Sequence, residues 1–258
     1  MDVVLVSPRN PLNMGAAARA MANFGFARLA VVAPYAPHWR EARSAVGAPQ
    51  LLRQARECGT LAEAVEEATL VVGTGTLQSR RPTQPVVQLP ALAGRVLREL
   101  AQGGRVALVF GPEKHGLTRD DLAHCHLVVE IPTDAGQPSM NLGQAVAVCL
   151  YELATAAQRQ TAHKEEPAAA SKSRGGAKAG SSVGPSATSG DLERLGGLIE
   201  ETMLAAGYSP RAMQAANRHD LRTTLRRLQL NAADTRRLFG LFRRILWKLG
   251  RGGDSTAR

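Results

Sequence analysis

The residues in this sequence best suited to chemistry lie in three polar, glycine-bearing loops. The first runs Ser7-Pro8-Arg9-Asn10-Pro11-Leu12-Asn13-Met14-Gly15-Ala16-Ala17-Ala18-Arg19. The second is Gly111-Pro112-Glu113-Lys114-His115-Gly116-Leu117. The third holds Pro132-Thr133 and then Pro138-Ser139-Met140-Asn141-Leu142-Gly143. Asn13, Arg19, Glu113, Ser139 and Asn141 supply amide, guanidinium, carboxylate and hydroxyl groups that can orient a ligand and steady developing charge. A fourth loop, Gly73-Thr74-Gly75-Thr76, has small residues that let a ligand approach backbone N–H and C=O groups. Taken singly, each feature has an ordinary structural use. Asn13 and Asn141 can cap helices, Arg19 can pair on the surface, and Glu113 can be a structural carboxylate.

Other chemistries find little support. His124-Cys125-His126 has no second Cys/His pair at zinc spacing, so a helix-to-strand turn is expected there and no structural metal. No GxGxxG follows a strand, no Walker lysine stands in a phosphate loop, and no GxSxG elbow occurs.

The four loops are positioned by a recurring pattern. Apolar runs at residues 3–6, 29–33, 70–72, 106–110 and 127–131 are bounded by Gly, Pro or Ser, as strands covered on both faces require. Helix patterns fall at 13–24, 60–68, 92–101 and 141–157, with Thr60 and Glu63 as a capping-box pair. The alternation predicts an α/β domain over residues 1–157 with a mostly parallel sheet and helices on both faces. Ligands bind outside the carboxyl ends of such strands, so the loops are expected to converge on one crevice.

Composition bounds the rest. The chain has 258 residues, 44% hydrophobic and only 4% aromatic, which excludes a rod, collagen or wholesale disorder. No apolar run reaches about 18 residues, so no membrane span is expected. The first residues lack the pattern of a signal peptide. Three scattered cysteines, Cys58, Cys125 and Cys149, suit a reducing cytoplasm rather than a disulfide framework.

Charge is uneven. Residues 1–157 are nearly balanced, whereas residues 208–251 carry eleven basic and two acidic side chains. That asymmetry points to a polyanion, nucleic acid before membrane. Residues 158–190, rich in Ala, Gly and Ser, are expected to form a flexible linker. Residues 191–250 read as a small basic all-helical module, and 251–258 as a disordered tail. Leu192, Leu195, Ile199 and Met203, then Leu221, Leu225 and Leu228, then Leu238, Leu241, Phe242, Ile245, Leu246 and Leu249 fall at helical spacing. Asn231 and Asp234 mark the third helix start. The polar faces carry Arg218, Arg222, Arg226, Arg227, Arg236, Arg237, Arg243 and Arg244.

The loops resemble the three signature motifs of the SpoU branch of the SPOUT RNA 2′-O-methyltransferases. Asn13-Met14-Gly15 with Arg19 is similar to motif one, Leu108-Val109-Phe110-Gly111-Pro112-Glu113 with Gly116-Leu117 to motif two, and Ile131-Pro132 with Ser139-Met140-Asn141-Leu142 to motif three. Gly143 departs from the usual Ala. The segment after residue 190, with the linker before it, is similar to one subgroup, the bacterial TrmJ-type tRNA methyltransferases.

The resemblance implies a parallel α/β sheet whose C-terminal part forms a trefoil knot, and S-adenosyl-L-methionine as cofactor. By motif, Thr74, Gly75, Thr76, Gly111, Ile131, Met140 and Leu142 are expected to hold it. It implies methyl transfer to a ribose 2′-OH, with Arg19 at that hydroxyl, Ser139 and Asn141 orienting Arg19 or the ribose, and Asn13 and Glu113 holding the loops. An arginine keeps its proton, with a pKa above about 12, so charge stabilisation suits Arg19 better than proton removal. The resemblance further implies a homodimer in which Arg19 reaches the partner protomer's cofactor. It also implies tRNA as substrate, methylated at cytidine or uridine at the first anticodon-loop nucleotide, position 32. Arg9, Lys114, Arg222, Arg226, Arg227, Arg236, Arg237, Arg243 and Arg244 are the expected RNA contacts. Three rivals are a SpoU-type rRNA methyltransferase, a non-catalytic knotted RNA-binding protein and a membrane-surface protein.

Overall fold

The computed structural model describes residues 1–76, 81–165 and 184–252. The first part runs β1 (Asp2–Val6), α1 (Pro11–Asn23), β2 (Leu29–Val32), α2 (Pro49–Arg53), β3 (Arg56–Cys58), α3 (Leu61–Ala64) and β4 (Leu70–Thr74). It continues through β5 (Val86–Gln88), α4 (Leu89–Ala101), β6 (Val106–Phe110), α5 (Arg119–Ala123), β7 (Leu127–Glu130) and α6 (Leu142–Glu165). Then come α7 (Ser189–Ala205), α8 (Gln214–Arg227) and α9 (Ala232–Gly252).

The seven strands form one sheet in the order β3-β2-β1-β6-β4-β7-β5, with every neighbouring pair parallel. All five residues of β1 and of β6 are buried because helices cover both faces. Val3 and Leu5 enter a core with α1, α4 and α6, whereas Val4 and Val6 enter one with α3 and Cys125. Burying each such side chain contributes about 1.5–3 kcal/mol. The five apolar runs are all strands. β3 and β5 carry no such run because they are the sheet's edges, where Arg56, Glu57 and Val86 are exposed.

Local signals set the helix starts. Asn10, with Pro11 behind it, caps α1 by accepting from the Leu12 N–H. Thr118 and Asp121 form a full capping box on α5. At α3 the expected box is one-sided. Thr60 accepts from the Glu63 N–H, but the Glu63 carboxylate turns back to the Gly59 N–H. That helix is also shorter than 60–68, ending at Ala64.

The linker bounds 158–190 need correction at both ends. Helix-forming residues carry α6 through Glu165, and a Thr188–Asp191 capping box starts α7 at Ser189. The middle of that stretch, 166–183, lies outside the described residues, as does 253–258 of the expected tail. α9 continues to Gly252.

Helices α7, α8 and α9 share a small core of Leu195, Ile199 and Leu225, with Met203, Leu221, Leu230, Leu238, Phe239 and Phe242 packed against it. Leu228 and Leu241 are exposed, contrary to the spacing, and Ile245 is at the margin of exposure. α8 ends at Arg227 and the chain reverses at Gln229, whose φ is +49°, so Leu228 is carried out of the stripe. The module sits on its own first domain. Ser189 and Gly190 donate backbone N–H groups to the Ala68 and Glu66 carbonyls. The side chain of Arg226 reaches the His124 carbonyl at 2.8 Å.

Candidate active site

The carboxyl ends of β1, β6, β4 and β7 are neighbours in the sheet, so the loops after them meet. They enclose a cavity of about 520 Å³. Thr74, Gly75, Thr76, Gly111, Ile131, Met140 and Leu142 all line it, together with Glu113 and Ser139. Gly73 and Thr74, read as loop residues from the sequence, are the last two residues of β4.

Cross-links between loops shape the cavity. The Thr74 hydroxyl donates to the Val109 carbonyl at 3.0 Å, and the Gly75 N–H donates to Val129. The hydroxyls of Thr133 and Thr76 both reach the Pro138 carbonyl, at 3.2 and 3.4 Å. Gly111 is required by close approach, since a Cβ there would lie 2.2 Å from the Leu117 backbone nitrogen. The cavity's size is that of a small-molecule site, and its walls combine apolar Ile131, Met140 and Leu142 with backbone polar groups. A Cβ at Gly75 would make only an ordinary contact, 3.8 Å from Val128 Cγ1, so its backbone is uncrowded at the cavity wall. These walls fit a nucleoside with a charged tail.

Beside the cavity lies a chain of polar side chains. The Glu113 carboxylate accepts from the Arg9 and Asn10 N–H groups, each at 3.1 Å, and from Asn13 Nδ2 at 2.9 Å. Asn13 Oδ1 in turn accepts from Asn141 Nδ2 at 2.8 Å, and Asn141 Oδ1 accepts from the Gly143 N–H. Partial burial disfavours the Glu113 charge, but the hydrogen bonds from Asn13 and the backbone outweigh it and hold its pKa below the usual carboxylate value. Asn13 is therefore no cap. Asn141 caps α6 and serves the polar chain as well. Gly143 also has a reason: a Cβ there would lie 2.7 Å from the Ala16 Cβ, where α1 crosses α6.

Arg19 stands apart. It is exposed on α1 and is not among the residues lining the cavity. Leu12, two turns earlier on the same helix, is also exposed, as are Val148 and Tyr151 of the adjoining α6. His115, Thr133, Pro138 and Ala145 line the cavity without having been singled out; the first three lie on the same loops and Ala145 on α6 one turn beyond Asn141. His124, Cys125 and His126 serve the fold. His126 Nδ1 accepts from the Val71 N–H, the Cys125 thiol donates to the Asp121 carbonyl, and His124 faces Glu193.

The expected RNA contacts divide. Arg9, Lys114, Arg227, Arg236, Arg237, Arg243 and Arg244 are exposed. Arg226 is not available to a phosphate: it is 1% exposed and binds Glu193 at 2.6 Å, Ser189 and the His124 carbonyl. Arg222 is likewise committed to Glu193, and Arg218 to Glu200. Polar spacing on a helix does not distinguish a solvent-facing arginine from one that bridges to another domain.

Comparison with known proteins extends the pattern. Residues 1–151 match the model of the SpoU rRNA Methylase family. The tRNA (cytidine/uridine-2′-O-)-methyltransferase TrmJ of Pectobacterium atrosepticum is 32% identical over 245 residues, covering 93% of each chain. The tRNA (cytidine/uridine/adenosine-2′-O-)-methyltransferase TrmJ of Pseudomonas aeruginosa is 41% identical over 152 residues, 58% of this chain and 59% of that protein's length. The crystal structure of TrmJ from Z. mobilis superposes with a TM-score of 0.77 at 30% identity, covering 95% of this chain and 98% of that one.

Proposed function

The chain belongs to the SpoU methylase family, and from that premise we propose that it is a tRNA ribose 2′-O-methyltransferase that uses S-adenosyl-L-methionine. What carries the reading is the convergence of all three motif loops on one cavity, in a chain whose likeness to tRNA methyltransferases continues through the C-terminal helices. Bound in the cavity, the cofactor supplies a methyl group activated on a sulfonium. Thr74, Gly75, Thr76, Gly111, Ile131, Met140 and Leu142 hold it by backbone contacts and apolar walls. The trefoil knot belongs to the same reading. It rests on the family membership and on the meeting of the loops after β4, β6 and β7 at one cavity.

The side chains divide the remaining work. Ser139, exposed at the cavity wall, orients the ribose. Glu113, Asn13 and Asn141 fix the loops so that the acceptor hydroxyl meets the methyl group in line, where positioning supplies much of the acceleration. Arg19 would stabilise the negative charge that grows on the 2′-oxygen as its proton passes to a nearby RNA phosphate and the electron pair of the broken S–CH3 bond returns to the cofactor's sulfur. Its distance from its own cavity is met by a homodimer. The apolar α1/α6 face of Leu12, Val148 and Tyr151 packs against a second copy, and Arg19 serves the partner's site. The exposed arginines of α8 and α9 hold tRNA phosphates.

The target is the first nucleotide of the anticodon loop, position 32, where an unpaired ribose is accessible. A tRNA substrate puts the protein in the cytoplasm. Among the described residues no helix is long and apolar enough to cross a membrane. The test is transfer of radiolabelled methyl from S-adenosylmethionine to unmodified tRNA and, in parallel, to unmodified ribosomal RNA, with nuclease mapping of the product. Label on a 2′-O-methylated nucleotide 32 is expected. Label confined to ribosomal RNA would discard the tRNA substrate while keeping the chemistry.

A further inference from the structure

Tyr35 is the most exposed of the described large apolar side chains, at 76%, and it follows β2 at the same sheet end as the cavity loops. It is not a loose surface residue. Its N–H donates to the Pro8 carbonyl at 3.2 Å, which ties it to the loop after β1. Pro34 and Pro37 stiffen its segment, and Trp39, four residues on and buried, anchors it in the core. The guanidinium carbon of Arg9 lies 5.3 Å from the Tyr35 ring centroid. Arg9 in turn hangs its backbone N–H on Glu113, the carboxylate that holds Asn13. Among the described residues the Arg9 guanidinium makes no ion pair. The carboxylate that orders the candidate catalytic loops therefore holds the residue bearing an unneutralised planar cation, and the exposed ring is tied to Pro8 just before it.

Bases in RNA loops are unstacked, and proteins hold them on aromatic rings and guanidinium planes. We propose that Tyr35 and Arg9 form a stacking platform for an unpaired loop base neighbouring the target ribose, with the Arg9 charge near the adjoining phosphate. The inference rests on the tRNA methyl-transfer reading and deepens it, because it names a contact that fixes the loop rather than the reacting atoms. β2 is the next strand out from β1 on the side away from the cofactor cavity, so the platform flanks the cavity loops at the same end of the sheet.

The experiment uses the full chain and a synthetic anticodon stem-loop in which 2-aminopurine replaces one loop base at a time. For the wild type, binding is expected to quench the fluorescence of a base flanking position 32. Tyr35→Phe keeps the quench. Tyr35→Ala loses it and raises the KM for tRNA by about tenfold, the scale of one lost base stack, with kcat within about twofold. Affinity for S-adenosylmethionine, read by calorimetry, stays the same in both variants. Wild-type quench and KM retained in Tyr35→Ala would overturn the platform and leave the methyl-transfer reading standing. A wild type that transfers no methyl to tRNA would remove that reading and the platform with it.

Discussion

Asn141 Nδ2 donates to Asn13 Oδ1 across 2.8 Å, joining two residues 128 positions apart in the chain. The bond couples the start of α6 to the start of α1, and Glu113 continues it on the far side of Asn13. Three loops thus behave as one unit.

That coupling is measurable. Asn13→Ala and Asn141→Ala are each expected to lower stability, and in a double-mutant cycle by urea unfolding they should share about 0.5–1.5 kcal/mol, the net value of one hydrogen bond. Turnover should be non-additive in the same way, the second substitution costing little once the first is made. Strict additivity in both readouts would mean that the loops are held independently.

Arg19 makes a second prediction. Arg19→Ala should cut methyl transfer by on the order of 10²–10³-fold while leaving S-adenosylmethionine affinity nearly unchanged, because Arg19 does not line its own cavity. If it acts on the partner's site, mixing Arg19→Ala subunits with subunits whose cavity is blocked by Gly75→Val should restore activity. In the mixed dimer one site has both parts. No recovery on subunit exchange would assign Arg19 to its own protomer.

Much of this was legible in the residues, for physical reasons. Strands buried on both faces must be apolar throughout, so β1, β2, β4, β6 and β7 stand out, and parallel order follows from the helices between them. The polar loops at their carboxyl ends then have one place to meet. β3 and β5 were not legible because an edge strand needs no apolar run. The fate of Arg222 and Arg226 was hidden too. On a helical wheel they share a stripe turned about 100° or more from Arg227, but the spacing does not say which stripe meets solvent, and only the placement of α8 against α5 and α7 turns theirs inward. Tyr35 had no motif around it, and its meaning comes from the hydrogen bond to Pro8.

The division of the arginines gives a third prediction. Glu193 holds Arg226 and Arg222 at the joint between module and domain. Its burial is outweighed by His124, Arg226 and Arg222, which keep its pKa well below the usual carboxylate value. Glu193→Gln leaves Arg226 buried without a counter-charge and should cost about 3–5 kcal/mol. Arg227→Ala should leave stability within about 0.5 kcal/mol. For tRNA binding the order reverses. Each exposed arginine that holds a phosphate should lower the slope of log affinity against log salt by about 0.9 when removed. A variant of Arg226 that stays folded should keep the wild-type slope. A stable, fully soluble Glu193→Gln protein with an unchanged melting curve would show that the joint contributes little.

The fourth prediction concerns acid. Burial, helped by the nearby Arg226 charge, lowers the His126 pKa to about 3 against the backbone hydrogen bond from Val71, so the folded protein keeps this ring neutral. The unfolded chain protonates it below about 6.5. A depressed folded pKa means stability that is fully present above 6.5 and lost as pH falls from there towards 3. Between pH 6.5 and 5 the loss from this ring alone should be about 1.5 kcal/mol. Glu193, also depressed, adds most of its own loss below about 4.5, so the two windows overlap there and the interval between pH 6.5 and 5 reports mainly His126. His126→Gln should lower stability at neutral pH, because the Val71 N–H loses a well-placed acceptor, yet flatten the decline between pH 6.5 and 5. Urea midpoints of the two proteins across that window provide the check. Parallel declines would show that His126 takes up its proton in the folded state, which the Val71 hydrogen bond to Nδ1 forbids.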